Sequence, residues 1–405
     1  MEAPIAHRSA DRTSPQTTTH SFHTHTFPQV GNDRESARAL LECWSTTRDS
    51  DAPGSIDSDA SFFLPFLSAR EGEHHPNVVL WRQGQQAAGI LVGRRSFERP
   101  RLSIGPFKVP MPRLRTLEIA YGGLEAASAE VASLQADYLR ELLQTKAVDC
   151  ISVHHLPLAS EIGSALYGGL REPGDGNPLV AGQWFAELTD AEGKALVSNS
   201  AKTRSSFRRK DRKLEQAFGG AVEIHECRRP AEVGAFIEAA ADIGGRSYQG
   251  KIGVGVQSTH HWHTVLRILA ANGYLRGYLL KAAGKPVAYA VGPAKGNTFT
   301  LMATSFLPEY RQQAPGAYLI RRMIERLQAE GLRWLDFGFG DAPYKELHGT
   351  WRREIATLHL YSHTPAARVA RALDALVKGV DRGSRRILQR TGLYGRARKL
   401  LLRGD

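Results

Sequence analysis

Cysteine is scarce: three among 405 residues, at positions 43, 150 and 227. An odd number so widely spaced builds neither a disulfide framework nor a zinc knuckle, and a reducing compartment is expected. Long apolar runs are also missing. The longest, near Ala87–Val92 and Val287–Val291, are strand-sized, far short of the ~20 residues a membrane-spanning helix needs. The first twenty residues, MEAPIAHRSADRTSPQTTTH, hold no apolar core of the secretory kind, so a cytoplasmic location is the expectation. GxSxG, CxxC and complete P-loop patterns are absent as well. What is present, 42% hydrophobic and 23% charged residues, suits a globular chain rather than a disordered one. At roughly 150 residues per domain its length suggests two or three domains.

The formal charge of +12 is unevenly spread. Residues 363–405 hold eleven Lys/Arg against three acids, a surplus of eight. The body is therefore only mildly basic, and the high pI reflects a basic tail rather than a DNA-binding body. The tail reads as amphipathic helix with Val369, Leu373, Leu376, Val377 and Val380 on one stripe. Such a segment suits peripheral contact with an anionic membrane at its inner face.

Residues 1–55 are rich in Ser, Thr, His, Asp and Pro and read as disordered or linker, with a short helix over Ala37–Trp44 and a breaker-rich stretch over Asp49–Asp59. The body shows a weak internal repeat. VVLWRQGQQAAGILVG (78–93) and YLLKAAGKPVAYAVG (278–292) are each apolar runs broken by a Gly-centred turn, which predicts two β-hairpins. Leu134–His155 and Ala317–Gly340 each read as an amphipathic helix running into a short strand. Leu319, Ile320, Met323, Ile324 and Leu327 keep the 3.6-residue period, and Gly331 sits where a helix C-terminus favours a left-handed residue. Between the repeats, Ser198–Gly220 predicts a strongly basic helix, followed by a strand (Val222–Cys227) and helices over Ala231–Ile243 and Ser258–Asn272. The expected units are 1–55, 56–197, 198–362 and 363–405.

Two stretches could carry chemistry. In YRQQAPGAY (310–318), Pro315 and Gly316 open a helix whose first amides are unsatisfied and favour an anion, with Arg311 as a charged donor beside them. The same residues also fit a plain loop-to-helix start with proline at its favoured first position. In LDFGFGDAPYKELHGTW (335–351), Asp336 ends a short strand, glycines 338 and 340 admit close approach to the backbone, and Tyr344, Lys345 and Trp351 follow. A carboxylate, a phenol and a cation could serve as base, acid and charge stabiliser in acyl transfer. A turn-capping Asp beside an amphipathic wall explains the same spacing. His154 and His155 end a strand, where His155 could touch a substrate. His260, His261 and His263 lack the spacing of a metal site, and no metal is expected.

Taken in order, SSFRRKDRKL, GKPVAYAVG, LPEYRQQAPGAYLI, a helix ending in EGL and LDFGFGDAPYK resemble the CelD/FemAB-like branch of the GNAT acyltransferases, whose members carry BioF-like acetyltransferase domains. The resemblance is best over 198–362. It implies an α/β fold of tandem GNAT-like units, each a mixed, mostly antiparallel sheet flanked by helices, here followed by the basic helical tail. It also implies an acyltransferase acting on a saccharide or a cell-envelope or exopolysaccharide precursor. The implied donor is acetyl-CoA or another acyl-CoA, whose pyrophosphate would meet a Q/R-x-x-G-x-G/A loop. Here Gln312, Gly316 and Ala317 fall in that loop with Arg311, while Pro315 replaces the first glycine and removes an amide. FemAB-like relatives use aminoacyl-tRNA, which stays as the alternative donor, and a non-catalytic accessory protein is the remaining alternative. Asp336 is the expected base, Tyr344 the acid for the leaving group and Lys345 the charge stabiliser. Tyr310, Trp351 and His155 are expected to contact substrate.

Overall fold

Gly84 and Gly284 adopt left-handed backbone angles (φ +64° and +76°), which glycine enters without steric cost, and each turns the hairpin expected around it. The first hairpin joins His74–Gln83 to Gln86–Glu98, the second Leu275–Ala282 to Lys285–Lys295. The computed structural model in which they lie describes residues 26–390 apart from 48–51, 71–72, 101, 105–106, 170–177, 197–199 and 248–254. Expectations for residues 1–25, 49–51 and 391–405 fall outside the described residues.

In chain order the first half comprises β1 (Thr26–Gly31), α1 (Arg34–Thr47), α2 (Ala60–Ser68), β2 (His74–Gln83), β3 (Gln86–Glu98), β4 (Leu102–Ile104), β5 (Phe107–Val109), β6 (Leu114–Ala126), α3 (Ala129–Gln144), β7 (Cys150–Pro157), α4 (Glu161–Gly169) and β8 (Leu179–Glu187). The second comprises α5 (Ala201–Ala217), β9 (Val222–Cys227), α6 (Val233–Arg246), α7 (His260–Ala271), β10 (Leu275–Ala282), β11 (Lys285–Lys295), β12 (Thr298–Thr300), β13 (Ala303–Phe306), α8 (Pro315–Ala329), β14 (Trp334–Phe339), α9 (Pro343–His348), β15 (Trp351–Tyr361) and α10 (Pro365–Arg390). Thr26–Gly31 is thus a strand where composition alone reads as disorder or linker, and the short helix expected over Ala37–Trp44 is present within α1 (Arg34–Thr47). β1 is held as an edge strand on β2, and Ala37 and Leu41 of α1 are buried against β2 and β3.

Most strands join one mixed, mostly antiparallel sheet in the order β1-β2-β3-β6-β7-β15-β8-β14-β12-β11-β10-β9, with β13 also on β11. Its two parallel pairs, β6–β7 and β12–β14, are each bridged by one amphipathic helix, α3 or α8, as the internal repeat requires. At the centre the halves exchange strands. β15 lies between β7 and β8, and β8 pairs on its other side with β14. Leu358 and Leu360 of β15 accordingly join the first-half core, while Ala186 of β8 and Leu188 just after it join that of the second half. Each buried leucine contributes roughly 1.5–3 kcal/mol, so each core depends on the other half's strand.

The tail stripe is split. Ala367, Ala370, Asp374 and Val377 of α10 face the body, whereas Val369 and Leu376 are exposed. The covered face also holds a buried polar position, where the Asp374 carboxylate accepts from Lys378 (2.6 Å). Among the described residues no helix is long and apolar enough to cross a membrane.

Candidate active site

The run Thr298–Thr304 is two strands, and the break between them makes the site. β12 pairs in parallel with β14 from Thr298↔Trp334 to Thr300↔Asp336. The Leu301 amide still donates to the Asp336 carbonyl (2.8 Å), but the Met302 amide turns to the Val291 carbonyl (3.0 Å). From there β13 follows β11, and β13 and β14 part. Gly292 faces this bulge, where a Cβ would collide with the Thr300 carbonyl. A cavity of about 560 Å3 opens in the gap.

β14 supplies one wall. Gly338 and Gly340 are left-handed (φ +70° and +81°), and the register with β8 shifts between Asp336 and Phe339. This turns Phe339 outward, and its ring stacks on His155 (centroids 3.3 Å apart) with Tyr121 edge-on to it (5.2 Å). His155, Tyr121, Tyr344 and Lys345 all line the cavity. Lys345, on α9, donates to the Phe339 carbonyl (2.7 Å). Burial pulls its pKa down to about 8, against the opposing pull of Asp336 and Asp341. Burial pushes the Tyr344 phenol up to about 12 and, with the neighbouring His154, lowers His155 to about 4, so its imidazole is neutral.

Asp336 is 1% exposed and stands behind this wall. Its Oδ2 accepts from the Tyr121 hydroxyl (3.1 Å) and Gln183 Nε2 (2.8 Å), and its Oδ1 from the Gly338 amide (2.7 Å). Gln183 Oε1 accepts from Arg353 Nε (2.8 Å), which fixes the direction of the amide. Three converging donors are the pattern of an ionised carboxylate. Burial works against them and raises its pKa. Burial and the Asp336 charge push the Tyr121 phenol up, so Tyr121 stays protonated and donates.

A further carboxylate comes from the segment read as a breaker-rich linker. Gly122 is left-handed (φ +65°) and Ser55 lies against it, where a Cβ would sit. The Gly54 amide donates to Thr298 Oγ1 (3.1 Å). Asp57, which accepts from the Ser55 hydroxyl (3.2 Å), therefore lines the same cavity. Burial pushes its pKa up to about 6.

The expected anion cradle follows the far end of β13. Ala303 and Thr304 line the cavity, while Phe306 backs Gly316, with its ring 2.9 Å from where a Cβ would be. Ala314 is left-handed (φ +53°), a strained state for a residue with a Cβ. The first bond of α8 runs from the Tyr318 amide to the Ala314 carbonyl (3.1 Å), so the amides of Gly316 and Ala317 precede the helical ladder. Arg311 and Gln312 are exposed on the same loop. These four residues are brought together with one another and do not line the cavity beside Asp336. Tyr310 packs edge-on against Phe218 (5.3 Å) and Trp351 stacks on Phe185 (4.2 Å), both outside that cavity.

Residues 201–346 match the family model described as an acetyltransferase (GNAT) domain. This segment is a GNAT-type acyltransferase domain. Its splayed strands β12, β13 and β14 and the loop into α8 all fall within the match. Outside the GNAT segment the fold continues to resemble known structures. The crystal structure of FemX is similar with a TM-score of 0.55 at 12% identity, over 86% of this chain and 100% of that one. L-PGS from Bacillus licheniformis gives 0.46 at 11% identity, over 87% and 98%. A tandem GNAT protein from the clavulanic acid biosynthesis pathway gives 0.44 at 11%, over 84% and 99%. No curated protein matches the sequence. Sequence reasoning missed Asp57, Tyr121, Gln183 and Arg353. Only Tyr121 had a local signal, a phenol followed by two glycines inside a strand.

Proposed function

We propose that this chain transfers an acetyl group from acetyl-CoA to an amine or hydroxyl of a saccharide or cell-envelope precursor, in the cavity between β13 and β14. The observation that carries this reading is the convergence of Asp57, Tyr344 and Lys345 on one cavity opened by the strand splay. The acceptor nitrogen or oxygen bonds to the acyl carbon and gives its proton to Asp57. The Lys345 ammonium, with donors beyond the one used by Phe339, holds the oxyanion of the tetrahedral intermediate. The carbon–sulfur bond then breaks, and the Tyr344 phenol protonates the departing thiolate. Asp336, expected from sequence as the base, is assigned a positioning role through Tyr121, because it does not line the cavity. His155 contacts the acceptor. Arg311, Gln312 and the amides of Gly316 and Ala317 hold the donor's phosphates.

Aminoacyl-tRNA is the second donor reading. It is favoured by α5, which carries seven Lys/Arg against two acids, a charge that suits a phosphate backbone. The exposed Val369 and Leu376 of α10 are proposed to reach anionic lipid. The deciding experiment incubates the full chain with radiolabelled acetyl-CoA and a panel of amino sugars and envelope precursors. Label transfer that Lys345→Ala abolishes supports the proposal. Failure to bind or turn over acetyl-CoA, with steeply salt-dependent binding of charged tRNA, overturns it in favour of the second donor.

A further inference from the structure

A second cavity, of about 770 Å3, lies between α5 and α8. Tyr344 and Lys345 of α9 face the Asp336 cavity, whereas His348 of the same helix faces this one. Arg204, Arg208 and Arg212, four residues apart on α5, share one helix face along its wall. The side chains of Arg208 and Arg212 are exposed, and among the described residues neither has a carboxylate partner. The floor is different in character. Arg321 is 9% exposed and pairs through Nη2 with the buried Asp211, which pins α5 to α8. Its Nε is buried without a partner. Its guanidinium lies over the Phe207 ring (4.8 Å), and His348 stands beside that ring (5.7 Å). Burial, with Arg321 nearby, lowers His348 to about 4, so the imidazole adds a neutral polar face. Leu188, Leu196 and Ile324 complete the floor.

We propose that this cavity binds an organic diphosphate, its phosphates on Arg208 and Arg212 and its organic part on the floor around Phe207. Side chains four apart on a helix start about 5–6 Å from one another, a spacing that lets two guanidinia each take one of two linked phosphoryl groups. Guanidinium forks bind phosphate in two-point fashion. The carboxylates of Glu187 and Glu325 on the remaining wall, and that of Glu215 one turn beyond Arg212 on α5, repel an anion placed away from Arg208 and Arg212 and so restrict the ligand's orientation. The size falls within the range of small-molecule sites. A nucleoside diphosphate and a prenyl diphosphate share this chemistry.

The test is calorimetric titration of the full chain with UDP, geranyl diphosphate and inorganic pyrophosphate, on the natural sequence and on the Arg208→Ala/Arg212→Ala double variant. At least one organic diphosphate should bind ten-fold tighter than pyrophosphate. The double variant should weaken it at least ten-fold with an unchanged thermal midpoint. The tighter of UDP and geranyl diphosphate identifies the source. Absence of binding by all three, equal affinity for pyrophosphate, or equal affinity in the double variant overturns the proposal. Acetyl transfer measured on the same preparation separates the two readings: transfer without diphosphate binding overturns this one alone.

Discussion

Asp336→Asn is nearly isosteric, yet it should not be tolerated. The carboxylate accepts from three donors, two on Oδ2 and one on Oδ1, and asparagine offers one oxygen. If that oxygen keeps the Gly338 amide, the new NH2 meets the NH2 of Gln183, whose orientation Arg353 fixes. The Tyr121 hydroxyl can turn to accept, but its proton then loses the carboxylate. At least one hydrogen bond to a charged group is lost, about 1.5–3 kcal/mol, and one buried donor goes unmet, about 1–3 kcal/mol. Against this, the neutral side chain escapes the burial cost that raises the Asp336 pKa. The net expectation is destabilisation of about 2 kcal/mol, read as a lower urea midpoint at constant slope, or a drop in thermal midpoint of roughly 4–8 °C. A midpoint within 0.5 kcal/mol of the natural protein, by the ~0.5 kcal/mol scale of ordinary surface substitutions, would refute the acceptor-only reasoning. The same variant separates positioning from proton transfer. With Asp57 as base, the acidic limb of the rate profile stays in place in Asp336→Asn and disappears in Asp57→Asn.

Four other outcomes are expected. The rate should rise with pH through about 6 as Asp57 loses its proton, and fall through about 8 as Lys345 loses its own; a flat profile from pH 5 to 9 would remove both groups from the chemistry. Lys345→Ala should lower kcat on the order of 10²–10³-fold with little change in KM, as loss of an oxyanion donor does, measured by steady-state acetyl transfer. Gly292→Ala should cost about 1–3 kcal/mol or prevent folding, because its methyl group meets the Thr300 carbonyl at the strand break; circular-dichroism melting reads it. Arg321→Ala leaves the buried Asp211 with only its longer contact to Arg322 (3.8 Å), and should lower the unfolding free energy by about 3 kcal/mol, the lower end for a broken buried pair, measured in urea.

Local pattern carried far. Both hairpins, the basic helix and the helix–strand unit that runs through Gly331 to Gly338 and Gly340 were legible because each depends on neighbours in sequence. The site's supporting shell was not. Gln183 and Asp336 are 153 residues apart, and nothing near Gln183 announces that β8 will lie between β14 and β15. Asp57 sat in a stretch whose composition spells linker, and it reaches the cavity through a glycine on β6. Asp211 lay within a charge run, where sequence alone reads a solvated face. In the structure it is the buried partner of Arg321. On α10 the apolar period was visible, but the covered face runs through Ala367, Ala370 and Asp374, two small residues and an acid that an apolar count passes over.

The interlocked centre of the sheet bears on how this molecule is made. During synthesis the first half emerges with its core lacking Leu358 and Leu360, and with β7 open along one edge. It stays so until residues 351–361 clear the ribosome. The partly built chain must therefore wait, with an adhesive border showing, until β15 has been read. Severing the gene between the halves should yield two products that aggregate singly and recover only when produced together.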